Sequence, residues 1–104
     1  MNQIDEFQVW TRSTAIYPEN EALQYLALGL CSEAGEVAGK IKKFIRDGGF
    51  SSEALEKELS DVFWYLVRLA DTLGVNSSEI LDMNVKKLED RKARDVIRGS
   101  GDER

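Results

Sequence analysis

Residues 53–74, EALEKELSDVFWYLVRLADTLG, decide the fold that the sequence predicts. Apolar side chains recur there in alternating steps of four and three residues, at Leu55, Leu59, Val62, Leu66, Leu69 and Leu73. Such steps align one face of an α-helix and are typical of the seams between helices in a bundle. Ser51 or Ser52 can cap the start of this helix, and Gly74 can end it. The stretch therefore predicts one long helix that packs along most of its length.

Three further helices are predicted around this one, each from apolar residues spaced at helical intervals. The first covers Gln3 to Ala15, the second about Glu21 to Arg46, and the last about Ser77 to Ala93. Asn76, followed three residues later by Glu79, resembles a capping box for the last helix. Strand signals are missing, since no segment sustains an alternation of apolar and polar residues, and Asp47-Gly48-Gly49 is read as the end of the second helix and not as a hairpin turn.

The predicted architecture is a single all-α domain over residues 1–104, built as an antiparallel four-helix bundle. The C-terminal residues, about 96–104, are expected to be a flexible tail because glycine and charged residues dominate them. Phe63, Trp64 and Val67 lie beside the seam of the long helix, so its apolar surface exceeds one stripe. Surplus apolar surface of this kind favours a partner subunit.

Composition excludes several classes of function. The chain has 104 residues and a net charge of −5, which argues against nucleic-acid polymers as partners. It has no histidine, so catalytic triads and the usual histidine-based zinc sites are excluded. Its one cysteine, Cys31, cannot form an internal disulfide, and no apolar run is long enough for a membrane span. A cytoplasmic location without membrane attachment is expected.

Two acidic pairs carry the predicted chemistry. Glu33 and Glu36 lie three residues apart on the second helix, as do Glu58 and Asp61 on the third, so each pair shares one side of its helix. Both pairs flank the apolar stripes, and four carboxylates would converge if the two helices pack side by side. Mutual repulsion and desolvation would oppose that cluster unless a hard cation such as Mg²⁺ lay among the oxygens. On spacing alone, a merely solvated acidic face remains an equal alternative.

The same residues carry a resemblance to a known family. Glu33-Ala34-Gly35-Glu36, a spacer, and Glu58-Leu59-Ser60-Asp61 resemble the signature of the MazG-type nucleotide pyrophosphohydrolases. Leu30 to Val37, Glu58 to Leu66, Asn84 to Leu88 and the closing Gly-Ser-Gly-Asp-Glu-Arg are also similar to that family. This all-helical superfamily includes dimeric dUTPases, dCTP pyrophosphatases and phosphoribosyl-ATP pyrophosphohydrolases.

The resemblance implies a fold of the all-alpha NTP pyrophosphatase type, assembled as a homodimer or homotetramer. It implies hydrolysis of (deoxy)nucleoside triphosphates between the α and β phosphates, dependent on Mg²⁺, with Mn²⁺ able to substitute. Glu33, Glu36, Glu58 and Asp61 would be both metal ligands and catalytic residues, with Glu36 a candidate for activating the attacking water. Helices from two chains would bound the nucleotide pocket.

Substrate contacts are predicted from basic and polar residues near these motifs. Asn84, Lys87 and Arg91 step by three and four along one face of the last helix, so they can contact phosphates together. Lys40 lies one turn after Glu36 and can either reach the same site or simply neutralise Glu36.

The aromatic residues and the tail allow two interpretations each. Trp10, in preference to Trp64, is a candidate for stacking on a nucleobase, although aromatics on bundle helices are more often core residues. Asp102 and Arg104 either close over the phosphates or belong to a disordered tail.

Three functions compete at this point. The first is a nucleoside triphosphate pyrophosphohydrolase that controls nucleotide pools or removes unwanted nucleotides. The second is a related enzyme acting on a nucleoside diphosphate or a phosphoribosyl nucleotide. The third is a non-catalytic helical dimer that serves as a regulatory or interaction module, with its acids merely solvating the surface.

Overall fold

A computed structural model describes residues 2–104; the predicted domain began at Met1, which lies outside the described residues. The described residues form four α-helices: α1 Gln3–Trp10, α2 Ala22–Asp47, α3 Ser52–Thr72 and α4 Ser77–Ala93. Short 3-10 helices cover Thr11–Thr14 and Glu19–Glu21. Residues 2–104 contain no strand, so the prediction of an all-helical chain is confirmed. The bounds of α2, α3 and α4 agree closely with those predicted.

Helix α1 is shorter than predicted. It ends at Trp10 instead of Ala15, and a 3-10 turn follows it. The hydroxyls of Thr11, Ser13 and Thr14 each donate to the carbonyl oxygen three residues earlier, at 2.6, 2.8 and 3.0 Å. Hydroxyl side chains that bond to the local backbone compete with regular helical bonding, and a run of three such residues tightens the last turn.

Both ends of α3 have the predicted caps. Ser51 Oγ accepts a hydrogen bond from the backbone N–H of Ala54 at 3.2 Å. At the other end, Gly74 adopts φ +76°, and the Val75 N–H donates to the Ala70 carbonyl at 3.1 Å. Glycine enters this left-handed conformation without the steric cost that a Cβ imposes, so Gly74 ends the helix.

The start of α4 is capped by α1, and the predicted capping box at Asn76 is wrong. The Asn76 side chain makes no cap hydrogen bond. Instead, the amide oxygen of Gln8 accepts from the Ser77 N–H at 2.7 Å, and the carboxylate of Asp5 accepts from the Ser78 N–H at 2.9 Å. These distant side chains satisfy the free N–H groups that the helix start leaves open.

A polar network around Asp71 joins α1 to α3. The Asp71 carboxylate accepts hydrogen bonds from Arg68 at 2.7 Å, Arg12 at 2.8 Å and Gln8 at 3.2 Å. The hydrogen bonds from Arg12 are the main reason that the pKa of Asp71 lies far below its ordinary value, and those from Arg68 and Gln8 lower it further. Arg68 is only 7% exposed, so its charge depends on Asp71 for compensation.

The helices form an open arrangement. The α2–α3 hairpin provides the most extensive contact, while α1 packs against both α3 and α4. Within residues 2–104, α4 contacts α1 and α3 but not α2, so the chain alone does not close a bundle. Leu26, Val67 and Ala70 form the fully buried core, with Ala22 beside them.

Much of the predicted seam of α3 remains uncovered. Leu59, Leu66 and Leu73 are exposed, whereas Leu55 and Val62 are half-buried. The accessible surface is 7738 Å², compared with about 5,900 Å² expected for a monomer of this mass. The radius of gyration is 16.6 Å, compared with about 13 Å for a compact domain. The chain therefore exposes far more surface than a self-contained domain of its size.

One apolar groove of about 220 Å³ accounts for part of this surface. Side chains of α1, α3 and α4 line it, among them Ile4, Phe63, Leu66, Leu73 and Ile80.

None of the helices between residues 2 and 104 has the length and apolar character that a bilayer crossing requires.

Candidate metal centre

Helices α2 and α3 bring three acidic residues together. Glu33 lies in the middle of α2, and Glu58 and Asp61 lie one turn apart on α3. One carboxylate oxygen from each residue can be chosen so that all three lie within 4.8 Å of one another. Glu33 and Glu58 are half-buried and Asp61 is exposed. The expectation that acids of the two helices meet is therefore met by these three residues.

Glu36 is not a member of this group of three, although it lies one turn after Glu33. Its charge still acts on Glu33. The predicted roles of Glu36, as a ligand and as an activator of water, stay predictions.

The cluster is electrostatically unfavourable by itself. Burial raises the pKa of Glu33, and the negative charges of Asp61 and Glu58 raise it further. Like charges at this distance disfavour full ionisation. A divalent cation would reverse that balance, because it is attracted to every member of the cluster.

The donor set fits a hard cation such as Mg²⁺. All three residues offer carboxylate oxygens, which Mg²⁺ prefers at roughly 2.0–2.1 Å. Two ligands of one such ion lie at most about 4.2 Å apart. The three oxygens lie no more than 4.8 Å from one another, which is close to that limit.

A cavity of about 310 Å³ adjoins the carboxylates. Thr14, Glu33, Asp61, Trp64 and Tyr65 line it. The Trp64 indole N–H donates to the hydroxyl of Thr14 at 2.7 Å, and the Trp64 ring meets the Tyr65 ring edge to face, with centroids 5.0 Å apart. Aromatic rings therefore stand directly beside the acidic cluster.

Trp10, the predicted stacking residue, does not line this cavity, and its stacking on a nucleobase stays a prediction. Trp10 is 58% exposed on α1, where it stacks on Phe7 with ring centroids 6.0 Å apart. Sequence reasoning ranked Trp64 lower than Trp10 and missed Tyr65. One signal could have found Tyr65, since it lies one helical turn after Asp61 and so shares its face of α3.

Lys40 lies close to the cluster on the other side. It is half-buried and lines a cavity of about 250 Å³ together with Glu58, Ser51 and Lys57. Two roles were open for Lys40: contact with the site, or neutralisation of Glu36. Its position beside Glu58 gives a structural basis for contact with the site.

The polar face of α4 is not brought to the carboxylates within one chain. Asn84 is exposed, Lys87 is half-buried and Arg91 is only 5% exposed. Lys87 Nζ and Arg91 Nη2 each lie 3.3 Å from the same Asp102 carboxylate oxygen. Within the described residues α4 does not contact α2, and the phosphate contacts of these residues stay predictions.

The tail folds back against α4. The Arg104 side chain donates to the carbonyl oxygens of Gly101, Val96 and Ile97 at 2.7, 3.0 and 3.1 Å. Arg91 donates to the Asp102 carbonyl at 3.1 Å. The tail thus has defined contacts, while its predicted flexibility stays a prediction.

Comparison with known proteins places this geometry in a family. The model of the MazG nucleotide pyrophosphohydrolase domain matches residues 21–95, which include both acidic pairs and the polar face of α4. The chain belongs to the MazG nucleotide pyrophosphohydrolase family. The resemblance seen in the sequence is therefore confirmed, and the family's name describes hydrolysis of nucleotides with release of pyrophosphate.

One curated relative covers almost the whole chain. Gene 37 protein of Mycobacterium phage L5 is 44% identical, over 97% of this chain and 98% of that protein. Its name describes no activity. The comparison with solved structures found no match.

Proposed function

We propose that the protein hydrolyses (deoxy)nucleoside triphosphates between the α and β phosphates, and so releases a nucleoside monophosphate and pyrophosphate. The reaction would adjust nucleotide pools or remove unwanted nucleotides. The observation that supports this proposal is the convergence of Glu33, Glu58 and Asp61 within 4.8 Å in a member of the MazG family.

The cation expected at this cluster is Mg²⁺, with Mn²⁺ as a substitute. Glu33, Glu58 and Asp61 would hold it, and Glu36, one turn after Glu33, is proposed as a fourth ligand. When bound, the ion supplies positive charge that neutralises the carboxylates and polarises a phosphate oxygen. Glu36, one turn after Glu33 on α2, is the proposed acceptor of a proton from the attacking water.

The cavity next to the cluster is the proposed place for the nucleoside. Trp64 and Tyr65 form one wall, and aromatic faces favour stacking with nucleobases of any kind. A triphosphate that extends from this wall would pass directly over Glu33 and Asp61, which line the same cavity.

We further propose that the enzyme is a homodimer or a dimer of dimers. The apolar groove at Phe63, Leu66 and Leu73 is open to solvent, and the chain exposes roughly 1,800 Å² more than a compact monomer should. That excess is comparable to the area that a specific interface buries. The partner's α4 would bring Asn84, Lys87 and Arg91 to the phosphates, which the chain's own α4 does not do.

Mixed dimers test the shared site. Glu58→Gln and Lys87→Ala are each expected to be inactive as pure dimers. When the two are unfolded together and refolded as a mixture, half of the dimers contain one chain of each kind, and one of their two sites is intact. About a quarter of the wild-type activity should return. No recovery in mixed dimers, verified by mass spectrometry, would place Lys87 outside the partner's site.

The reaction itself is tested with pure protein, Mg²⁺ and a panel of nucleoside triphosphates, with pyrophosphate and orthophosphate measured separately. Monophosphate with pyrophosphate supports the proposal. Turnover of only a diphosphate or a phosphoribosyl nucleotide would favour the second function, and no turnover at all would favour the non-catalytic module.

We also propose a cytoplasmic location. Cys31 is a free, exposed thiol, which a reducing compartment preserves. Nucleoside triphosphates are substrates of that compartment, so the location and the proposed reaction agree.

A further inference from the structure

Helices α2 and α3 make an unusually close contact one turn away from the acidic cluster. A Cβ added to Gly29 would lie 2.1, 2.4 and 2.7 Å from three carbon atoms of the Tyr65 ring. These distances are far below van der Waals contact, which is about 3.5–4.0 Å between carbon atoms. The ring therefore occupies the space of a side chain and lies directly on the bare backbone of α2.

The Tyr65 ring also has a close aromatic neighbour on α3. The Trp64 ring packs edge to face against it, and the Trp64 indole is itself held by its hydrogen bond to Thr14. Tyr65 is half-buried, and its remaining side faces the cavity that contains Glu33 and Asp61. A ring pushed away from Gly29 must therefore move either into that cavity or with its helix.

The position of this contact along both helices links it to the carboxylates. Gly29 precedes Glu33 by four residues, and Tyr65 follows Asp61 by four residues. Residues four apart lie on the same helical face, so the contact lies directly beside the line along which the acids meet. The closeness of the helices at Gly29 thus limits how far Glu33 can be from Asp61.

The available tolerance is small. The three carboxylate oxygens lie within 4.8 Å, whereas two ligands of one Mg²⁺ can be at most about 4.2 Å apart. An alanine at position 29 would require the ring to move by more than about 1 Å to restore normal contact. A displacement of that size on the α3 side is larger than the difference between these two limits, about 0.6 Å, so it would separate the carboxylates beyond the reach of one ion.

We propose that Gly29 is a positioning residue of the metal centre: because it lacks a side chain, the Tyr65 ring fits against α2 and holds Glu33 within shared-ligand distance of the α3 carboxylates. This inference rests on the proposed metal centre, but it does not depend on the reaction or on the identity of the nucleotide.

The test compares Gly29→Ala with Gly39→Ala. Gly39 lies on the same helix, and a Cβ added there would meet nothing within 4 Å. Both substitutions raise helix propensity by about the same amount, about 1 kcal/mol, so they differ chiefly in the contact with Tyr65. Mn²⁺ affinity is measured by calorimetry without nucleotide, and the melting temperature is measured in the presence of a chelator.

Gly29→Ala should weaken Mn²⁺ binding by about 10–100-fold, as substitutions of supporting residues in metal sites do. Gly39→Ala should bind Mn²⁺ like the wild type. A third variant, Tyr65→Ala, removes the ring, and in that background Gly29→Ala should cause no further loss of affinity. If Gly29→Ala alone fails to fold, the double variant still tests the proposal. The double variant should fold and bind Mn²⁺ as Tyr65→Ala does.

Each contrary result has a distinct meaning. Three results would overturn only the positioning role of Gly29. The first is equal Mn²⁺ affinity in Gly29→Ala and the wild type, and the second is an equal loss of affinity in Gly29→Ala and Gly39→Ala. The third is a Gly29→Ala, Tyr65→Ala double variant that does not fold. Wild-type protein that binds Mn²⁺ but converts no nucleotide overturns the proposed reaction and leaves this inference intact. Wild-type protein that binds no Mn²⁺ overturns the metal centre and, with it, the role of Gly29.

Discussion

Replacing Glu33 by glutamine should change the stability of the protein in opposite directions with and without Mg²⁺. The substitution keeps the size of the side chain and removes one charge from the group that includes Glu58 and Asp61. In the absence of a cation, that charge is repelled by both neighbours. In the presence of a cation, the same charge becomes a ligand.

The size of the metal-free effect follows from the distances. Two like charges no more than 4.8 Å apart, in surroundings as polar as water, repel by about 1 kcal/mol, and Glu33 has two such partners, Glu58 and Asp61. Salt screens part of this repulsion, so we expect a net gain of about 1 kcal/mol for Glu33→Gln. In a chain of this length, that raises the melting temperature by roughly 4–8 °C.

The effect of pH supplies a second check with a defined sign. The pKa of Glu33 in the folded protein is raised above its ordinary value of 4.5. The folded state therefore holds a proton more tightly than the unfolded state, and the corresponding stability is lost as the pH rises through the folded-state pKa. Metal-free wild-type protein should lose this stability above about pH 4.5, and the Glu33→Gln variant should not.

Saturation with Mg²⁺ should make the wild type more stable than the Glu33→Gln variant, the reverse of the order without metal. At a concentration 100 times the dissociation constant, a ligand that binds only the folded state stabilises it by about 2.7 kcal/mol. Wild-type protein should gain an amount of this order, while Glu33→Gln should gain little because it lacks one ligand.

The assay is thermal unfolding by circular dichroism at one fixed protein concentration, in chelator and in a Mg²⁺ series. Glu89→Gln is the matched control. Glu89 is exposed on α4, which does not contact α2, so its response to Mg²⁺ should equal that of the wild type. A lower melting temperature of Glu33→Gln in chelator would refute the argument from repulsion. A full Mg²⁺ response in that variant would refute the role of Glu33 as a ligand.

Two further predictions concern the polar contacts that hold α1 in place. Asp71→Asn should destabilise the fold by about 3–5 kcal/mol in urea titrations, because it leaves the buried charge of Arg68 without its partner; a loss below 1 kcal/mol would contradict this role. The pKa of Asp71 is lowered from 3.8, so its contribution to the stability of the fold is present at neutral pH and is lost as the pH falls below about 4. The wild type should therefore lose stability below about pH 4, and the Asp71→Asn variant should lose much less. Gln8→Ala should cost about 1–3 kcal/mol, since it leaves the buried Ser77 N–H unsatisfied, and hydrogen exchange should show faster opening at the start of α4. Unchanged exchange there would mean that the cap depends on Asp5 instead.

The helices themselves could be predicted because their signals are local. The steps of four and three along residues 53–74 define a face, Ser51 caps an N–H three residues away, and Gly74 supplies the left-handed turn. Each of these effects acts within one turn of the chain, so it is visible in the order of the residues. The convergence of the acids was also foreseeable, since it needed only two i, i+3 pairs and a hairpin.

The features that sequence reasoning missed depend on residues distant in the chain. The start of α4 is capped by Gln8, 69 residues earlier in the sequence, and no local pattern indicates such a bond. The early end of α1 reflects three hydroxyls, of which Thr14 also accepts a hydrogen bond from Trp64 on α3. Trp64 lines the cavity and Trp10 does not, because of the way in which α1 lies against α3.

The sequence by itself determined the extents of α2, α3 and α4, the caps of α3 and the chemical character of the site, because propensity, periodicity and charge are properties of short segments. Only the tertiary structure decided which acids meet, since Glu36 follows the pattern yet is absent from the group of three. It also decided which rings line the cavity and that Tyr65 lies on Gly29. These outcomes depend on the distance and rotation between α2 and α3, which are set by side-chain packing across the two helices, a property that no single segment contains.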